Sequence, residues 1–310
     1  MMELENLASV LARAGACRVK RDAPLGPLTT LGVGGEAAAL ATPSGPSELA
    51  ELLRAAADVP LFLLGGGSNT VVADRGWRGL VVKLGEGFSL VEIDGTHLRC
   101  GAGAALSSAL AAAERAGLSG LEELCGIPGT VGGAVVGNAG AWGRQIGELV
   151  VAVDAMTRDG ESLRLAASEL AFGYRKSALA GGGLAATSVE LAMTQGDPER
   201  IRLRRAELLA ERKRRQPWGV RTAGSFFRNP PGDAAGRLID RAGCKGWREG
   251  GAAVSGVHAD FIVNEGGASA SDVLRLSARV REAVSGRFGI LLEPEVVLVG
   301  AAWPWEGGGA

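Results

Sequence analysis

Apolar positions recur along this chain with two different periods, and the changes between them lay out its elements. Leu4, Leu7, Ala8, Leu11 and Ala14 fall at helical spacing and predict a first helix ended by Gly15. Residues 18–28 read as a loop leading to Thr29-Thr30-Leu31-Gly32-Val33-Gly34-Gly35. Residues 37–41 predict a short strand, and 47–57 a helix with Glu48 and Glu51 near its positive N-terminal end. Residues 61–64 predict a buried strand that runs straight into three glycines. Further strands are expected over 80–83 and 98–101, then a helix over 105–116 closed by Gly117. The runs 149–157 and 162–165 flank Arg158-Asp159-Gly160, a hairpin signal, and 186–193 predicts another strand.

A composition shift at Gln195-Gly196-Asp197-Pro198 marks a boundary. Beyond it, 200–215 predicts a helix with Ile201, Leu208 and Leu209 on one face and a dense load of Arg and Lys elsewhere. A short helix is expected over 234–242, and a longer one over 271–284 capped by Ser269 or Ser271. Residues 289–299 read as a closing strand, and 303–310 as a frayed, flexible tail. The mixture is α+β, with a first domain over 1–196 and a second over 197–302. A length of 310 residues agrees with about two domains.

Composition narrows the chemistry. Apolar residues make up 46% and charged residues 22%, which suits a soluble globular chain. A net charge of −1 gives no general attraction to nucleic acid or membrane, and no apolar run approaches the roughly 20 residues that span a bilayer. Cys17, Cys100, Cys125 and Cys244 form no C-x-x-C pair and fit reduced thiols in a cytoplasmic protein. His97 and His258 are far apart, so no His/Cys cluster has metal-ligand spacing, and His258 is given no catalytic role. The 49 glycines mostly stand in short clusters, which suits tight turns and close backbone–ligand contact.

Two clusters stand out. Gly65-Gly66-Gly67-Ser68-Asn69-Thr70 follows a strand and could cradle a pyrophosphate with backbone N–H groups, or be a tight turn. It matches neither the spaced glycines of a dinucleotide-binding strand–turn–helix nor a P-loop. The stretch from Cys125 to Gly143 contains Gly129, Thr130, Gly132, Gly133, Ala134 and Asn138; its small residues permit close approach by a flat ring or tight helix packing. Two such clusters in one domain suggest one extended cofactor. Ala223-Gly224-Ser225-Phe226-Phe227-Arg228-Asn229-Pro230 sets a hydroxyl between a glycine that lets backbone approach a ligand and two rings that exclude water. Ser225 could be a nucleophile, a proton donor or a turn residue. Tyr174 and Arg175 could form a surface cation–π pair. Arg212-Lys213-Arg214-Arg215 could be a solvated face, a nucleic-acid contact or an anion site. Glu293 and Glu295, two apart in the expected strand, would share a face.

These pieces, with Tyr174-Arg175-Lys176-Ser177, His258-Ala259-Asp260-Phe261-Ile262-Val263-Asn264 and Leu292-Glu293-Pro294-Glu295-Val296, resemble the UDP-N-acetylenolpyruvoylglucosamine reductase (UDP-N-acetylmuramate dehydrogenase) family in the same order from about residue 27 to residue 300. The resemblance implies a two-subdomain FAD-binding module of the vanillyl-alcohol-oxidase type over 1–196 and an α+β substrate-binding domain over 197–302. It implies FAD held by Gly65, Gly66, Gly67, Ser68 and Asn69, and by Gly129, Thr130, Gly132, Gly133, Ala134 and Asn138. NADPH would be the reductant, Ser225 the proton donor, and Arg175 and Glu295 the groups steadying an enolic intermediate. Lys213 and Asn229 match diphosphate-binding positions, and Tyr174 would also contact substrate. The short span after Arg175 marks the family type that lacks an extra tyrosine-bearing loop. A small-molecule substrate is expected, with no nucleic acid or membrane partner and a monomeric chain.

Overall fold

The computed structural model describes residues 17–306. The helix expected over 4–14 lies outside them. The chain forms two compact units that are not contiguous in sequence. The first comprises Ala39–Gly66 and Gly79–Arg212 with the described residues up to Arg21; the second comprises Asp22–Ala38, Gly67–Arg78 and the chain from Lys213 onward. A division at residue 196 would leave the segments 22–38 and 67–78 with the N-terminal half, whereas their contacts lie with the C-terminal one.

The first unit is organised by a five-stranded antiparallel sheet of order Ser162–Ala166, Val150–Thr157, Leu184–Ala192, His97–Gly101, Val91–Asp94. The expected hairpin is its edge pair, with Met156 opposite Ser162. Leu98, Cys100, Val153, Val189 and Leu191 of this sheet are buried with Leu106, Ala109, Leu110 and Ala113 of the helix Leu106–Arg115. Those four helical positions have the three-and-four spacing of one face, so the helix lays one apolar stripe on the core. Gly117 follows with φ +67°, a left-handed position that a side chain would strain. The strand Leu61–Leu63 pairs in parallel with Leu80, Val81 and Val82. The helix Pro198–Arg215 buries only Ile201, Leu208 and Arg212. The loop expected over 18–28 is instead the strand Arg18–Pro24 and a turn of 3₁₀ helix, Gly26–Leu28.

The second unit has its own core around a four-stranded antiparallel sheet of order Arg221–Ser225, Phe261–Asn264, Ala252–Val254, Arg248–Glu249. The helices Ala235–Arg241 and Ala270–Phe288 contribute Leu238, Ile239, Val273, Leu276, Val280 and Val284. Of the two serines proposed as a cap, Ser269 fills the role: its Oγ accepts from Asp272 N at 3.0 Å, and Asp272 Oδ2 accepts from Ser269 N at 2.9 Å. The closing strand is shorter than expected. Only Val297–Val299 is regular, pairing in parallel with Thr70–Val72. Glu293 and Glu295 lie outside the strand, on either side of Pro294, which forms an isolated antiparallel bridge with Phe227. The tail expected to be flexible begins with a docked segment: Trp303 packs edge-on against Phe226 at 6.0 Å and stacks on Trp305 at 5.1 Å. Arg281 covers Trp305 at 4.8 Å.

Candidate active site

The two glycine clusters meet inside the first unit. A Cβ at Gly66 would lie 2.6 Å from Gly129 Cα, and one at Gly65 3.0 Å from Thr130 Oγ1. Gly129 itself holds φ +116°. The backbones therefore touch where any side chain would part them. Lys83, at the end of the neighbouring strand, donates from Nζ to Gly65 O at 2.9 Å. Burial pushes its ammonium below the ordinary lysine range. Thr130 caps the short helix Val131–Val136, its Oγ1 accepting from Gly133 N at 3.2 Å. Gly132 lies against Ala102, where a Cβ would meet Ala102 Cβ at 2.8 Å.

Asn138 sits at 2% exposure with φ +43°. Its Nδ2 donates to Gln145 Oε1 at 2.9 Å and to Gly173 O at 2.8 Å, and its Oδ1 accepts from Gly147 N at 3.0 Å. The amide thus ties three stretches of loop together from inside. One of these is the tight turn Gly173-Tyr174-Arg175-Lys176, closed by reciprocal bonds between Gly173 and Lys176 at 3.0 and 3.1 Å. Arg175 takes the left-handed position of that turn at φ +54°, with its guanidinium 5.3 Å from the Tyr174 ring centre. Arg212, buried from the basic helix, lies close enough that the Arg175 charge lowers its pKa, after the larger effect of burial. A Cβ at Gly126 would meet Arg212 Cδ at 2.8 Å. Of the basic run, Arg212 is packed under a glycine turn.

The remaining residues of interest belong to the second unit, since the triple-glycine run divides between Gly66 and Gly67. A Cβ at Gly67, φ +63°, would collide with Leu28 O at 2.2 Å. Asn69, expected to serve the cofactor, donates from Nδ2 to Glu295 O at 3.1 Å. Ser225 ends the strand Arg221–Ser225. Thr222 faces Val263 and Ser225 faces Phe261, so three steps on one strand match two on the other. This is a β-bulge, and Gly224 occupies it with φ +83°. Within the chain itself no close approach demands that glycine, since a Cβ there would meet no protein atom within 4 Å, whereas its left-handed backbone does.

Beyond the bulge, Phe226 and Phe227 are 1% exposed and pack edge to face at 5.2 Å. Glu295 N donates to Phe226 O at 2.8 Å, and Arg228 N to Glu293 O at 2.8 Å, so the Glu295 segment is clamped to the chain following Ser225. Phe227 N donates to Asp260 Oδ1 at 2.9 Å. The Ser225 hydroxyl is hydrogen-bonded to the same carboxyl, and the Glu295 charge acts on it. Asp260 is buried. Burial pushes its carboxyl well above the usual range; the Phe227 amide opposes this and Glu295 adds to it. Ser225 and Glu295 thus both act on an acid that no spacing argument had singled out, and Asn69 is tied to the backbone of Glu295. Lys213 Nζ lies 5.1 Å from the Trp218 ring centre, and Asn229 Oδ1 accepts from Ala235 N at 2.9 Å. Among the described residues no group of three His, Cys, Asp or Glu is placed to hold a metal ion, and no helix is long and apolar enough to cross a membrane.

A model for an FAD binding domain matches residues 37–166, and one described as UDP-N-acetylenolpyruvoylglucosamine reductase, C-terminal domain, matches 216–299. The fold is therefore that of an α+β flavoprotein, an FAD-binding module joined to a further α+β portion. The UDP-N-acetylenolpyruvoylglucosamine reductase of Anaeromyxobacter sp. (strain Fw109-5) is 49% identical over 285 residues, covering 91% of this chain and 89% of the relative. UDP-N-acetylenolpyruvoylglucosamine reductase 2 of Symbiobacterium thermophilum is 43% identical over 303 residues, 97% of each. The crystal structure of UDP-N-acetylenolpyruvylglucosamine reductase from Thermus caldophilus superposes with a TM-score of 0.82 at 42% identity, over 91% of this chain and 99% of that one. The chain belongs to the UDP-N-acetylenolpyruvoylglucosamine reductase family. Its glycine cradle fits FAD: the contact of Gly65 and Gly66 with Gly129 and Thr130 leaves Gly133 exposed, a small-residue surface suited to a flat ring and a diphosphate.

Proposed function

We propose that this chain reduces the enolpyruvyl ether of UDP-N-acetylenolpyruvoylglucosamine to UDP-N-acetylmuramate, a peptidoglycan precursor, at the expense of NADPH. Bound FAD supplies the two-electron carrier between reductant and substrate. Gly65, Gly66, Gly129, Thr130, Gly132, Gly133 and Ala134 hold it, with Asn138 fixing the loops around them, and Gly67, Ser68 and Asn69 are assigned to it as well. Arg175 pairs with the substrate carboxylate, for which a planar, permanently charged fork is suited. Glu295 helps stabilise the enolic form. Ser225 gives its hydroxyl proton to the substrate carbon. Lys213, Asn229 and Tyr174 contact the nucleotide portion. Four free cysteines, three of them buried, suit a reducing compartment and so the cytoplasm.

The observation that carries the reading is the surroundings of Ser225. Its hydroxyl leaves a bulged strand end, is bonded to an enclosed carboxyl, and stands beside two rings at 1% exposure. An alcohol is a weak acid, and such an environment is what proton donation from it needs. The test is anaerobic spectroscopy of the FAD-loaded protein. NADPH should bleach the flavin, and UDP-N-acetylenolpyruvoylglucosamine should restore its colour. In Ser225→Ala the bleaching persists while the recovery slows by roughly 100-fold or more. Recovery of Ser225→Ala at the wild-type rate removes Ser225 from the role.

A further inference from the structure

Asp260 is a buried acid that the proton donation described above does not use. It stands within an apolar run, Ala259-Asp260-Phe261-Ile262-Val263, and is 3% exposed. The backbone on both sides of it is already satisfied: Phe226 N donates to Asp260 O at 2.7 Å, and Asp260 N donates to His258 Nδ1 at 3.3 Å. Its carboxyl accepts from Phe227 N and meets the Ser225 hydroxyl. The helix Ala235–Arg241 faces it with Gly236, whose built Cβ would lie 3.5 Å from Asp260 Cβ and which brings no charge. Glu295 faces it with a negative charge. His258, whose imidazole pKa is lowered by its own burial and by Lys245, faces it from its own loop. An asparagine would accept the Phe227 N–H equally well without the cost of enclosing an acid. What asparagine lacks is a transferable proton.

We propose that Asp260 is the positioning residue of Ser225 and the reservoir from which Ser225 is reprotonated. The assignment rests on the functional reading given above. As the Ser225 Oγ–H bond breaks and a C–H bond forms on the substrate, the Asp260 O–H bond breaks and its proton passes to Ser225 Oγ. The serine ends neutral, and the negative charge ends on the Asp260 carboxyl. A carboxylic acid is a far stronger acid than an alcohol, so this transfer runs downhill. The Glu295 charge beside it then favours recapture of a proton from solvent, which closes the cycle.

The test uses the FAD-loaded full chain and follows both half-reactions in wild type, Asp260→Asn, Ser225→Ala and the double variant. In Asp260→Asn, bleaching by NADPH stays within about twofold of wild type, which reports an intact, loaded protein, while recovery with UDP-N-acetylenolpyruvoylglucosamine falls roughly 100-fold at unchanged KM. In the Ser225→Ala background the same change costs nothing further, because the residue through which Asp260 acts is gone. Recovery of Asp260→Asn at the wild-type rate overturns the proposal. So does a full additional loss in the double variant, which marks a packing role. Wild-type protein that the substrate fails to reoxidise overturns the functional reading itself, and this assignment with it.

Discussion

Asn138 in the first unit and Asp260 in the second occupy comparable places. Each is a polar side chain almost wholly enclosed, at 2% and 3% exposure, and each gathers loops that carry expected site residues. Asn138 does so with a neutral amide that has both donors and acceptor engaged. Asp260 has only acceptors when ionised, and its neighbours include a hydroxyl, a backbone N–H and a second carboxylate. The amide closes its network and stays inert. Enclosure and the Glu295 charge favour the protonated form of the acid, and a carboxylic proton next to a serine is what the proposed relay draws on. Similar burial thus gives a scaffold in one unit and, on the proposal above, a proton source in the other.

The comparison breaks first at Asn138. Replacing it by Asp sets a carboxylate against Gln145 Oε1 and Gly173 O, both acceptors, and should cost about 3 kcal/mol or more in a urea melt. A melt like wild type would show the amide to be dispensable. The reverse exchange, Asp260→Asn, should act with the opposite sign. Because the Asp260 pKa is raised on folding, its contribution to stability is full below the unfolded carboxyl value of about 4 and is lost as pH rises toward the folded value. Asp260→Asn should therefore gain on wild type by up to about 1.4 kcal/mol per pH unit above that point, read from melts across pH 4–8. A gap independent of pH would mean that Asp260 is ionised in the folded protein. Gly224→Ala should cost about 1–2 kcal/mol through its φ of +83° alone, since no atom opposes the new methyl group. Thr130→Ala should cost about 1 kcal/mol, the worth of one helix cap, and should lower flavin content in the purified protein.

Much of the local architecture was legible before any coordinates. The hairpin around Arg158-Asp159-Gly160, the stripe of Leu106, Ala109, Leu110 and Ala113, and the Ser269 cap all depend on residues within a turn or two of one another. The run of strand into triple glycine was equally plain. Asp260 left a trace that spacing rules pass over: one acid in an otherwise apolar strand approach. Arg212 left none, since nothing in four consecutive basic residues distinguishes the one that packs beneath Gly126.

The sequence by itself determined the longer helices of the described chain and the hairpin, and marked where the backbone had to be bare, because propensity, capping and glycine freedom act over a few residues. Tertiary structure alone decided that Gly66 lies on Gly129, that Asn69 bonds to Glu295, and that Ser225 meets Asp260 across a bulged strand pair. It also decided that two early segments, 22–38 and 67–78, belong with the C-terminal unit. Those pairings span tens to hundreds of residues. They follow from burying apolar faces while leaving few enclosed polar groups unpaired, conditions that the folded chain meets as a whole and no short stretch of it encodes.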